Sequence, residues 1–294
     1  MAEVARTEPA AFEFRPGPRL VVGQGSIGRL GELARELGGT RALVASDPGI
    51  VAAGHAAAGV ESLRSAGLET DLFCGFGENP TETQVAAGAA AARRFRPDLL
   101  VGLGGGSSMD CAKGINFLLS CGGRMRDYRG RATATGPMLP SIAVPTTAGT
   151  GSETQSFALV TDDETGLKMA CGDPRAAFRV AILDVNLTLT QPLPLVAVTG
   201  IDALSHAVES HVSRAATRAS RVFSREAWRL LAANLPAILA DDGGTVAARA
   251  AVQFGAALAG LAIENSMLGA AHSLANPLTA AHRVVHGQAV GLVL

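Results

Sequence analysis

The sequence predicts an α/β N-terminal domain built on a parallel sheet, followed by an all-α C-terminal domain. Up to about residue 185, short β-branched runs alternate with Ala-rich amphipathic stretches, the pattern of strand–helix–strand crossovers. From about residue 190 strand signals stop and only helical periodicity remains. A length of 294 residues, with 48% hydrophobic and 17% charged residues, suits two packed cores better than one. Pro192 and Pro194 punctuate the junction, where a helix cannot run through. The expected domains are therefore 1–190 and 191–294.

Taken in order, Arg19–Val22, Arg41–Ser46, Glu69–Phe73, Asp98–Leu103 and Ser141–Val144 read as strands. Segments near 26–37, 55–66, 81–95 and 108–119 read as the helices between them. Two further strands, near 156–161 and 178–183, are expected to close this half, with turn chemistry at Asp162-Asp163-Glu164-Thr165-Gly166 between them. Helical patterns then cover 195–213, 217–238, 246–263, 266–281 and 286–294. The uncharged, Ala/Gly-rich run Ala250–Ile263 is too short to span a bilayer and reads as a buried helix. The last segment, Gly291-Leu292-Val293-Leu294, ends apolar with no cap or polar exit, so the second domain is expected to be truncated.

Composition narrows the function. A net charge of −1 with no basic stripe argues against nucleic acid. Met1–Pro9 lacks an apolar core, so no secretory signal is read there. Four cysteines, Cys74, Cys111, Cys121 and Cys171, show no paired spacing and read as reduced thiols. A cytoplasmic protein without membrane partners is expected. Among 25 basic residues only Lys113 and Lys168 are lysines, and both fall in motif stretches, where a compact point charge suits what a guanidinium fork would not.

The chemistry gathers in three places. Leu103-Gly104-Gly105-Gly106-Ser107-Ser108-Met109-Asp110-Cys111-Ala112-Lys113 follows a strand and opens a helix. Its glycines let a phosphate approach the backbone, and the helix N-terminus offers unpaired N–H groups. It is not the G-x-G-x-x-G fingerprint. A second loop, Pro145-Thr146-Thr147-Ala148-Gly149-Thr150-Gly151-Ser152-Glu153, adds hydroxyl and amide donors after the next strand. Asp47, just past the second strand, suits ribose hydroxyls, or simply an N-cap. Finally, Asp202 and His206 sit four apart on one helix, with His272 and His286 on later helical segments. One carboxylate and three imidazoles suit Fe(II) or Zn(II) better than Mg(II) or Ca(II). Glu209, three residues past His206, could orient a ligand or serve as an ordinary ion-pair partner.

These motifs, with Thr199-Gly200-x-Asp202-Ala203-Leu204-x-His206-Ala207 and His286-Gly287 in the same order, resemble the iron-containing (group III) alcohol dehydrogenases from about Phe12 to the last residue. The resemblance implies a Rossmann-like sheet on the dehydroquinate synthase-like plan. It implies Asp202, His206, His272 and His286 as catalytic ligands of Fe2+, with Zn2+ as the alternative. The positions of Asp47, Asn79, Gly104, Gly105, Gly106, Ser107, Asp110, Thr146, Thr147, Thr150, Lys168 and Leu195 would line an NAD site. The implied reaction is hydride transfer between a small alcohol or aldehyde and NAD, the metal polarising the substrate oxygen, in a homo-oligomer, a dimer first. Where many members carry a second histidine, this chain has Asn276. Alternatives are an inactive NAD-binding fragment, or a dehydroquinate synthase-like lyase. The lyase needs a basic cluster, yet only Arg283 is basic between His272 and His286.

Overall fold

The computed structural model describes residues 11–131, 134–241, 243–282 and 284–294. The expectations for Met1–Pro9 and Arg283 lie outside those residues.

Strands β1 (Arg19–Val22), β2 (Arg41–Ala45), β3 (Glu69–Phe73), β4 (Leu99–Gly104), β6 (Ser141–Pro145) and β9 (Val180–Leu183) form one sheet in the order β1-β9-β6-β4-β2-β3. Every pairing in it is parallel. The central strands β4 and β6 are buried along their whole length, which is why they read as unbroken apolar runs. Helices α1 (Leu30–Glu36), α2 (Pro48–Ala52), α3 (His55–Ser65), α4 (Glu82–Phe95) and α5 (Gly106–Ser120) make the crossovers. Two apolar clusters cover the sheet, one centred on Leu100, Met109, Ile115 and Phe117, the other on Leu30, Leu33, Val101 and Ile142. At the start of α4, Thr81 and Gln84 form a reciprocal capping box.

One expectation fails. The segment near 156–161 does not close the main sheet. It becomes β7 (Phe157–Thr161) of a separate three-stranded sheet, pairing antiparallel with β8 (Lys168–Gly172), which in turn pairs with β5 (Gly130–Arg131). β7 alternates between covered and open positions, so it needs cover on one face only, unlike the main strands. The turn between β7 and β8 is the one expected: Asp162 Oδ1 accepts the Glu164 and Thr165 amides, both at 2.9 Å. β8 carries no strand signal of its own, since Lys, Ala and Gly are poor strand formers.

Helices α6 (Leu193–Val212), α7 (Arg218–Ala240), α8 (Val246–Glu264), α9 (Ala270–His282) and α10 (His286–Val293) follow. Their main cluster contains Val196, Ala203, Leu231, Leu235, Ala256 and Leu258. Among the described residues α8 is the one helix long and apolar enough to cross a membrane, but 72% of that window is buried inside the protein, as expected for a core helix. α9 begins at Ala270 rather than 266, because Met267 takes a left-handed φ of 62° after α8 closes. Gly151 and Gly260 allow the two halves to meet: a Cβ on Gly260 would lie 2.6 Å from the Gly151 carbonyl oxygen. Nearby, Thr154 donates to the Ala257 carbonyl at 3.1 Å.

Candidate active site

The chain leaves the neighbouring strands β2, β4 and β6 at Asp47, Gly105 and Thr146. Past β2 the chain winds to one edge of the sheet, past β4 towards the other, so these three exits face the crevice where open α/β sheets bind ligands. Gly104 has a φ of 145°, and a Cβ there would lie 2.2 Å from Ser108 Oγ. A Cβ on Gly106 would meet Thr150 Cγ2 at 2.9 Å, so the two loops lie against each other and the backbone of α5's first turn stays bare. Thr146 is 2% exposed, and its buried hydroxyl has no partner. The Asn79 amide donates to Ser107 Oγ at 3.1 Å, which pins that loop to the crevice. Leu195 stands 41% exposed in the first turn of α6.

Asp47 is the N-cap of α2: its Oδ1 accepts from the Gly49 and Ile50 amides, and its Oδ2 from the Ser108 hydroxyl at 3.2 Å. Asp110 is placed differently from the other expected cofactor contacts. Its buried carboxylate accepts the Ser152 hydroxyl at 2.7 Å and lies 4.0 Å from Lys113 Nζ. Lys113 is 1% exposed and donates to Ser152 O at 2.7 Å, Ser152 Oγ at 2.9 Å and Phe157 O at 2.6 Å. All three ammonium protons are thus used, and the pair braces the two loops from beneath. Burial pushes Lys113 down to about 8, against the opposing pull of Asp110. Glu153, which the sequence placed at the end of the second loop without a role, is buried beside this network, and burial pushes its carboxyl up to about 7. Lys168, half-buried at the start of β8, lies within electrostatic reach of both Asp110 and Asp202.

The second loop leads directly to the histidines. A Cβ on Gly149 would sit 2.6 Å from the Thr199 carbonyl, which seats the loop on α6 beside His206. Asp202 and His206 lie one turn apart on α6, and α9 delivers His272 from a separate helix. Ligand atoms of these three lie within 4.8 Å of one another, and all three residues are buried. Asp202 Oδ1 is 3.5 Å from His206 Nε2, 3.3 Å from His272 Nε2 and 4.0 Å from His286 Nε2. The structure therefore brings the four expected residues to a common point, with His286 on the open side. The His206 and His272 rings stack at 4.7 Å.

Electrostatics fit a cation. Asp202 Oδ1 and His272 Nε2 are buried without a hydrogen-bond partner, a state that is costly unless something else engages them. Burial alone would raise Asp202, yet the surrounding histidines hold it down to about 2. Burial lowers His286 to about 4 and also depresses His206, so both rings present neutral lone pairs. An oxygen and three imidazole nitrogens around one point form a suitable donor set for a divalent transition metal. Glu209 lies behind His272, its Oε2 2.5 Å from His272 Nδ1. The remaining histidines stand elsewhere: His55 meets Thr190 Oγ1 at 2.7 Å, His211 meets Ser224 Oγ at 2.9 Å, and His282 is exposed.

Comparison with known proteins gives a consistent picture. Residues 17–185 match the family model described as iron-containing alcohol dehydrogenase, and residues 196–294 match the model for the C-terminal part of the Fe-containing alcohol dehydrogenase family. The NAD-dependent methanol dehydrogenase of Bacillus methanolicus is 36% identical over 270 residues, which are 92% of this chain and 71% of that protein. A crystal structure of 1,3-propanediol oxidoreductase superposes with a TM-score of 0.92 at 36% identity, covering 96% of this chain and 73% of that one. Sulfoacetaldehyde reductase from Bifidobacterium kashiwanohense, solved in complex with NAD+, gives 0.88 at 28% identity, with 96% and 75% covered.

Proposed function

This chain belongs to the iron-containing alcohol dehydrogenase family, and on that premise we propose the reaction and the residues that carry it. The protein is a metal-dependent, NAD-linked dehydrogenase that interconverts a small primary alcohol and its aldehyde. The supporting observation is the buried, unpartnered donor set of Asp202 and His272 with His206 and His286, joined to the second loop through Gly149. Asp202, His206, His272 and His286 would hold the divalent ion, Fe2+ before Zn2+. When bound, the ion supplies Lewis-acid polarisation of the substrate oxygen.

The chain's own residues do the positioning. Gly104, Gly105, Gly106 and Ser107 present the N-terminus of α5 to the pyrophosphate, and Thr146, Thr147 and Thr150 add hydroxyls across the crevice. Asp47 faces the ribose end, where its charge favours NAD over a 2′-phosphate. Asn79, Lys168 and Leu195 complete the lining. Asp110 enters as a brace for Ser152 rather than as a direct contact. Residues 1–190 would act as the nucleotide domain and 191–294 as the metal domain. A homodimer and a cytoplasmic setting belong to the same reading, the second supported by four free thiols. The lyase alternative would need a cluster of cations at this site, and the reading here rests on a single one, Lys168, whose charge bears on Asp202 and on His286.

The test is a substrate screen that follows NADH absorbance with Fe(II)- and Zn(II)-loaded protein across short primary alcohols, diols and their aldehydes. Metal-dependent turnover is expected. Turnover that is undiminished after complete metal removal would refute the mechanism.

A further inference from the structure

We infer that Glu209 is a positioning residue for the metal centre, fixing the orientation and proton placement of His272; this rests on the reading of Asp202, His206, His272 and His286 as metal ligands. Glu209 lies on α6 at the i+7 position from Asp202, so the helix carries ligand, ligand and carboxylate along one face. It is 4% exposed, and both of its oxygens are committed to α9. Oε1 accepts the Ala271 amide at 2.6 Å, while Oε2 accepts the His272 amide at 3.2 Å and faces His272 Nδ1 at 2.5 Å.

The chemistry of that last contact is constrained. A carboxylate can only accept, so Nδ1 must be the donor and carry a proton. In the neutral ring the lone pair then falls on Nε2, the atom 3.3 Å from Asp202 Oδ1. The first amides of a helix have no partner within the helix, and a negative charge there is favoured by the dipole. One side chain thus caps α9, joins it to α6 and aims one imidazole nitrogen at the ion. Gly269 makes room for it: a Cβ there would lie 2.9 Å from Glu209 Oε1. Among the described residues the Nδ1 atoms of His206 and His286 have no hydrogen-bond partner, so His272 is the one of these three rings held from behind by a carboxylate.

The deciding variant is Glu209→Gln, which keeps the shape but offers one acceptor group where three donors converge. Zn(II) affinity, measured by competition with a chelator, should fall by ~10–100-fold, the usual cost of losing such a partner. The visible spectrum of Co(II)-loaded protein should change, while NAD affinity stays close to wild type. Unaltered Zn(II) affinity together with an unaltered Co(II) spectrum would overturn the role of Glu209. If the variant fails to fold, nitrogen NMR of histidine-labelled, Zn(II)-loaded wild type decides. Coordination of His272 through Nε2 with a proton retained on Nδ1 supports the inference, and coordination through Nδ1 overturns it. Wild-type protein that takes up neither Zn(II) nor Co(II) would refute the metal reading itself.

Discussion

At the scale of single residues, Lys113 shows how a functional-looking motif can be structural. Its three donors all end on the second loop and on β7, and no other cation could place three protons in that space as compactly. We predict that Lys113→Met lowers stability by about 3–5 kcal/mol, because Asp110 and two carbonyls lose their buried partner. The pH dependence has a definite sign. With Lys113 lowered by burial to about 8 against an ordinary value of 10.5, the unfolded chain holds a proton in that window which the folded chain has released. Lys113 therefore makes stability rise with pH from 8 to 10.5. Buried Cys111 and Cys171 act in the opposite sense above pH 9, but they are common to both proteins. The gap in melting temperature between wild type and Lys113→Met should widen across the window; a constant gap would show that Lys113 is not depressed.

Among whole elements, α10 depends on one glycine. A Cβ on Gly287 would lie 1.9 Å from the Val198 carbonyl oxygen, so α10 touches the backbone of α6 directly. His286, the preceding residue, takes its place beside Asp202, at the proposed metal centre, from that contact. Gly287→Ala must move α10 outward and His286 with it. We expect weaker Zn(II) binding by chelator competition, with NAD affinity retained, since the glycine loop belongs to α5. Equal Zn(II) affinity would show that α10 does not place the fourth ligand. Elements also mark where the sequence was legible. The crossover helices and the buried strands were readable because periodicity reports which faces are covered. β8 was not, because its pairing with β7 and β5 overrides the weak local preference of Lys168-Met169-Ala170-Cys171-Gly172. Asp202 and His206 were readable as a helical pair. Glu209 remained ambiguous, since only tertiary contact tells an orienting carboxylate from a surface ion pair.

For the molecule as a whole, the proposed metal ligands come from α6, α9 and α10, while the proposed nucleotide crevice lies at the ends of the sheet strands. Loading the metal should therefore bind the three helices together and leave the crevice in place. We expect a chelator-treated sample to bind NAD but to melt lower than the loaded protein. At a free metal concentration 100 times the dissociation constant, the gain is about 2.7 kcal/mol. Calorimetry with and without Zn(II) checks this. An unchanged melting temperature would mean that the ion does not join those helices.

The sequence by itself determined the layer order, the glycine loop on a strand-to-helix turn, and the residue types able to hold a transition metal. These are local properties, set by periodicity, turn chemistry and donor identity. Tertiary structure alone decided that β7 leaves the main sheet, that Asp110 and Lys113 support the loops from below, and that three helices bring their donors to one buried point. Such outcomes depend on contacts between residues far apart in the chain, whose energies no local window contains.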